Sequence, residues 1–168
     1  LSGPLSESLK GRLVLYGNDD QGWFENLANG DDFGAVEQAM ARGTLVWEPT
    51  DADTVKLFYE RTDIDGEGAA TQSHTNGSGV PGTPRNFPRD SHEFAIDERG
   101  YQSVESDFLT LRWDRSVAFG EGTVTNIFGW RDQSSVAMSD IDGQPDFLFH
   151  SPGWVDAEQW SNELRYRG

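Results

Sequence analysis

The chain contains no cysteine and only two lysines, and none of its segments approaches the roughly 18 consecutive apolar residues of a membrane-spanning helix. Without cysteine there is neither a disulfide framework nor a thiolate metal centre. The scarcity of lysine, with a net charge of −16 over 168 residues, argues against a nucleic-acid partner, because displacing counterions from a phosphate backbone takes cationic side chains. The lack of a long apolar run excludes a helical membrane protein. Hydrophobic residues make up 35% of the chain and the mean hydropathy is −0.64, so burial in a large dry core is not expected. Leu1-Ser2-Gly3-Pro4 has neither the basic segment nor the apolar stretch of a signal peptide, which places any such peptide outside this sequence. No nucleophile, base and orienting group can be placed together, and no glycine pattern sits between a strand and a helix as a phosphate cradle requires. Neither an enzyme nor a cofactor is expected.

What the sequence does have is alternation. In residues 42–61, RGTLVWEPTDADTVKLFYER, Leu45 and Trp47 share one side of a first arm against Arg42, Thr44 and Glu48. Val55, Leu57 and Tyr59 share one side of a second arm against Thr54, Lys56 and Glu60. Pro49, Asp51 and Asp53 favour a tight turn between the arms. Similar segments occur at 9–17, with Leu13 and Leu15 opposite Arg12, Val14 and Tyr16, and at 107–115, with Leu109, Leu111 and Trp113 opposite Thr110, Arg112 and Asp114. Residues 158–168 set Trp160, Leu164 and Tyr166 against Gln159, Ser161, Glu163 and Arg165. Residues 122–132 have strand composition but mixed faces, and their orientation stays open. The pattern predicts six strands, near 9–17, 42–48, 54–62, 104–115, 122–132 and 158–167, in an all-β, antiparallel, up-and-down meander.

The predicted connections alternate long (18–41, 63–103, 133–157) and short (49–53, 116–121), so all the long ones emerge at one end, the habit of outer-membrane barrels. The long segments hold 17 acidic residues and three arginines, which makes that end acidic. Within them, 31–41 suggests a helical turn or two after an aspartate cap, and 73–90 is rich in Gly, Pro, Ser and Asn and reads as irregular. Its Asn76-Gly77-Ser78 is formally a glycosylation sequon, though a turn is the physical reading.

Alternation alone does not say whether the apolar face meets protein or lipid. Strands of about 9 to 11 residues match the length that crosses a bilayer at a tilt of about 45°, whereas soluble strands average nearer 5 or 6. Trp47 and Trp113 end apolar faces just before short turns, the place of indoles at a membrane boundary. These features assign Leu45, Trp47, Val55, Leu57, Tyr59, Leu109, Leu111 and Trp113 to lipid and Arg42, Lys56, Glu60 and Arg112 to a wet lumen.

Three segments also resemble a known family, the TonB-dependent outer-membrane receptors of Gram-negative bacteria. They are ARGTLVWEPTDADTVKLFYERTDIDGEG (41–68), FLTLRWDRSVAFGEGTVTNIFGWRDQ (108–133) and EQWSNELRYRG (158–168). The resemblance implies a barrel of about 22 strands around an N-terminal plug, taking up a siderophore, vitamin or carbohydrate with energy from the inner-membrane TonB complex. Residues 1–168 then correspond to an interior fragment of the barrel domain, a partial transmembrane barrel with neither closure nor plug. Its localisation would be the outer membrane, its partners outer-membrane lipid, a small-molecule ligand and, through the plug, the TonB complex. The alternative is a soluble β-sandwich module for carbohydrate or calcium, which predicts apolar strand faces meeting across about 10 Å.

Asp-Ile-Asp-Gly occurs twice, offering Asp63 and Asp65, and Asp140 and Asp142, as weak calcium candidates; neither completes an EF-hand. His74, His92 and His150 lack metal-ligand spacing and read as surface histidines. The aromatics Trp23, Phe24, Phe87, Phe147, Phe149 and Trp154 fall in the long connections, where they either pack loops together or capture a ligand.

Overall fold

The computed structural model describes residues 1–74 and 87–168. The Asn76 sequon and most of the Gly/Pro-rich run lie outside the described residues. In chain order the strands are β1 (Ser2–Pro4), β2 (Leu9–Asp20), β3 (Phe24–Asn26), β4 (Asp31–Phe33), β5 (Val36–Thr50), β6 (Asp53–Gly66), β7 (Glu93–Phe94), β8 (Tyr101–Val117), β9 (Gly122–Asp140) and β10 (His150–Arg167). A 3₁₀ turn at Phe119–Glu121 is the one helical element among the described residues. Among the described residues, no helix is long and apolar enough to cross a membrane.

The six expected strands are present as β2, β5, β6, β8, β9 and β10. Each pairs antiparallel with the next, in one sheet of order β1-β2-β5-β6-β8-β9-β10. They run longer than expected, 12 to 19 residues, because ladder pairing continues past the apolar positions into polar and acidic ones. β1 was not expected; residues 2–4 fold back on β2, where Gly3 faces Gly11. The helical turn expected within 31–41 is replaced by β4 and the start of β5. Val36, Gln38 and Met40 extend the ladder opposite Gly66, Ile64 and Thr62, and long-range pairing overrides a short helical tendency.

The connections at one end become residues 21–35, 67–100 and 141–149, and at the other 51–52 and 118–121. The alternation of long and short therefore stands, although the third long connection has shrunk to nine residues. Of the 17 acidic residues assigned to loops, seven lie on strands of this sheet instead and four more on β3, β4 and β7.

The register settles which side chains share a face, since directly paired residues point the same way. On one face lie Leu45, Leu57, Leu111 and Phe128 in one rung, and Trp47, Val55 and Trp113 in the next toward the short turns. The orientation of β9 follows: Val124, Phe128 and Trp130 join this apolar face. The opposite face carries Arg42 with Glu60, and Lys56 with Arg112.

Burial is concentrated away from this sheet. β3 pairs with β4 antiparallel and with β7 parallel in a second, three-stranded sheet built wholly from the long connections. Here Phe33, Phe94 and Ile96 form the hydrophobic cluster, with Phe24 packed against it. Asn26, 4% exposed, bridges β3 to the 94–96 segment: its Nδ2 donates to the Ile96 carbonyl at 2.9 Å, and its Oδ1 accepts from Ile96 N at 3.1 Å. Glu67 ties the two longest connections together, accepting from Gly34 N at 2.6 Å and pairing with Arg99 at 2.9 Å. This cap lies beside the upper part of the polar face, where Phe24 and Phe33 share a cavity with Val36, Gln38, Ile64 and Gln102.

Candidate functional site

Two surfaces of the long sheet and one corner of the cap bear on function. The apolar face has no protein layer over it among the described residues, and its large side chains are open: Leu15 is 72% exposed, Trp160 61% and Leu164 71%. Leaving such side chains in water forfeits about 1.5 to 3 kcal/mol each relative to burial, so a face of this extent calls for an apolar neighbour.

Two aromatic rows border the apolar band. Toward the long connections, Tyr59, Leu109, Trp130 and Trp160 form one rung. The Tyr59 hydroxyl donates to Asp107, and Trp130 Nε1 donates to Glu158 at 3.0 Å. Toward the short turns, Trp113 Nε1 donates to Asp53 at 2.9 Å and the Tyr166 hydroxyl to the Phe119 carbonyl at 2.7 Å. Each polar tip thus points out of the band while the ring lies against it. On β5 the band runs nine residues, through Ala39, Ala41, Gly43, Leu45 and Trp47. On β6 and β8 it narrows to five, because Arg61 and Asp107 occupy the next positions on this face. Those charges satisfy one another: Arg61 bonds Asp63 and Glu105 at 2.7 Å and Asp107 at 2.8 Å.

The opposite face is cationic despite the acidity of the chain. Of the ten lysines and arginines on the strands, eight lie there: Lys10, Arg12, Arg42, Lys56, Arg112, Arg131, Arg165 and Arg167. Arg42 pairs with Glu60 at 2.5 Å and Arg112 with Asp114 at 2.7 Å. The four residues expected to line a wet interior, Arg42, Lys56, Glu60 and Arg112, all sit on this face, and the eight expected to meet lipid all sit on the other.

The two Asp-Ile-Asp-Gly segments fare differently. Asp63 and Asp65 lie within β6 rather than on a turn, and Arg61 already neutralises Asp63. A calcium loop does not form there. Asp140 and Asp142 do turn, with Gly143 at φ +65. Asp140 is fully buried, and its Oδ1 accepts from Gly143 N at 2.9 Å and Asp142 N at 3.1 Å. Burial raises its pKa, with Asp142 and Asp97 adding to the rise and the Gly143 N–H opposing it. Asp97, Asp140 and His150 each bring one donor atom to within 4.8 Å of the others.

The remaining residues singled out from sequence have packing roles or stay exposed. His74 bonds the Phe87 carbonyl at 2.8 Å, and His92 stacks on Trp23 and edges Phe24. Phe87 is buried, Phe147 meets the His150 ring edge-on, and Phe149 is exposed. Trp154 is a strand residue of β10, 75% exposed on the apolar face. These aromatics form no common pocket. No family model, curated protein or solved structure matches the chain.

Proposed function

We propose that this chain is part of the barrel wall of a TonB-dependent outer-membrane receptor, which takes up a siderophore, vitamin or carbohydrate in a Gram-negative bacterium. The observation that carries this reading is the apolar face, bare of protein and bordered by two aromatic rows whose polar tips point away from it. That is the outer surface of a membrane barrel: an apolar band with an aromatic girdle at each interface. Nine residues on β5 are what a strand tilted by about 45° needs to cross the hydrocarbon. The cationic face then lines a water-filled lumen, and the cap folds over the polar side at the cell-surface end. Seven strands in this sheet are too few to close a barrel of the implied size, and the plug and its TonB-contacting segment belong to other parts of the protein. The chain itself acts as wall and loops, not as a catalyst.

A soluble sandwich needs a second sheet covering the apolar face. The second sheet described is the small one in the cap, and it lies beside the polar face.

The absence of cysteine from residues 1–168 gives a direct test in a protein freed of cysteine elsewhere. Asp90 and Asp51 are both exposed, one in the longest connection and the other in a two-residue turn. On intact cells a membrane-impermeant maleimide is expected to label Asp90→Cys and to leave Asp51→Cys unlabelled until the outer membrane is opened. Equal labelling of both before opening, or recovery of the protein in the soluble fraction, contradicts the proposal.

A further inference from the structure

We propose that Asp97, Asp140 and His150 form a binding site for a divalent cation of the zinc class, which clasps the longest connection to the β9–β10 hairpin. The three groups come from different places in the chain. Asp97 follows β7 in the 67–100 connection, Asp140 ends β9, and His150 opens β10. His150 Nε2 stands 2.9 Å from Asp97 Oδ1, and the donor atoms of all three residues lie within 4.8 Å of one another.

An independent observation points to a ligand. Among the described residues, the buried side-chain atoms without a hydrogen-bond partner are Asp140 Oδ2, Asp142 Oδ1 and Gln144 Oε1, all on this one turn. Buried polar atoms are rarely left unpaired, and each one needs an explanation such as a bound ion. With both carboxylates ionised, Asp97 and Asp140 only accept and neither can satisfy the other; a proton held between them is the arrangement that a bound cation would displace. An ion pair between His150 and Asp97 alone leaves Asp140 unsatisfied. Arg99, on the same connection, is engaged elsewhere, by Glu67 at 2.9 Å and with Asp31 at 3.6 Å. With Glu98 3.9 Å from His150 Nδ1 and Asp142 on the same turn, carboxylates outnumber the one imidazole. A divalent cation would balance them.

The donor set selects the class of ion. Calcium and magnesium favour oxygen alone, whereas imidazole suits zinc and its neighbours. Zinc sits at about 2.0 to 2.2 Å from nitrogen and carboxylate oxygen, which in a tetrahedron puts the donors roughly 3.3 to 3.6 Å apart. Reaching it means opening the His150–Asp97 contact by about half an ångström and drawing in any donor pair that stands near the outer limit of 4.8 Å. Three protein ligands leave a fourth position for water or for an oxygen of the turn, and Glu98 faces the second imidazole nitrogen as an orienting carboxylate would. The site stands on the cap's own geometry and does not depend on which surface of the sheet meets lipid.

The test uses purified protein without a polyhistidine tag. Titration with Co²⁺ is expected to give one equivalent with visible ligand-field absorption, abolished by stoichiometric Zn²⁺ but not by millimolar Ca²⁺. His150→Gln and Asp97→Asn are each expected to weaken binding at least 100-fold. On the unaltered protein, Zn²⁺ is expected to protect His150 from carbethoxylation, read by mass spectrometry. That measurement keeps the proposal open to refutation even if a variant fails to fold. Unprotected His150, undiminished Co²⁺ binding in folded variants, or displacement by Ca²⁺ at concentrations similar to those of Zn²⁺ would overturn it.

Discussion

Leu111→Arg is expected to cost about 2 to 4 kcal/mol of stability in the bilayer and to block assembly, while Thr110→Arg is expected to assemble at near-normal yield. Leu111 sits mid-band, between Leu57 and Phe128 in its rung and between Leu109 and Trp113 along β8. On the proposed reading, a guanidinium there would sit in hydrocarbon. Thr110 points the other way, beside Phe58 and Gly129 and on the face of Arg112 and Lys56, where water would solvate the new charge. The magnitude separates the alternatives. Leu111 is 39% exposed, and in a water-soluble protein such a surface substitution typically changes stability by about 0.5 kcal/mol or less. Heat-modifiable migration on gels, the behaviour expected of a closed barrel, and urea titration in liposomes report the two outcomes. Equal behaviour of the two variants would remove the lipid assignment.

Asn26→Ala is expected to loosen the cap without unfolding the sheet. The side chain satisfies both the N–H and the carbonyl of Ile96 and also accepts from Ala28 N at 3.1 Å. Its loss leaves buried backbone groups unpaired beside Phe94 and Phe33, at about 1 to 3 kcal/mol each. Because β3, β4 and β7 are two or three residues long and belong to no other sheet, that cost exceeds what the cap can absorb locally. Arg89 and Arg99 are exposed on the same connection. Trypsin is therefore expected to cut there at least tenfold faster in the variant, with the heat resistance of the long sheet unchanged. Unchanged cleavage would mean that the Phe33–Phe94–Ile96 cluster alone holds the cap.

The long sheet was legible because a strand with one apolar and one polar side writes its period of two directly into the sequence. Leu45, Trp47, Val55, Leu57 and Tyr59 alone place a hairpin and both its faces. The signal fades where polarity is the same on both sides. The polar upper ends of β6 and β9 read as loop, although Asp63 pairs with Glu105 and Gln133 with Ser106 in the ladder. β3, β4 and β7 are too short to show any period, and they are specified by Asn26 and by contacts across 70 residues of chain. The cation site was half visible. Asp-Ile-Asp-Gly marked Asp140 as a turn carboxylate, but His150 and Asp97 lie 53 residues apart, and nothing local in either announces the other. The one nearby signal was a histidine ten residues beyond Asp140, with an acidic turn between.

Whether lipid covers the apolar face is tested most directly by spin labels placed singly from Phe108 to Trp113 in protein reconstituted into lipid vesicles; residues 1–168 hold no cysteine, so within them each label is unique. Collision rates with oxygen, which concentrates in hydrocarbon, and with a water-soluble nickel chelate are measured at each site. The lipid-wall account predicts strict alternation, with oxygen favoured at 109, 111 and 113 and the chelate at 108, 110 and 112. Chelate access at 109, 111 and 113 equal to that at their neighbours, or oxygen favoured on the opposite set, would contradict it.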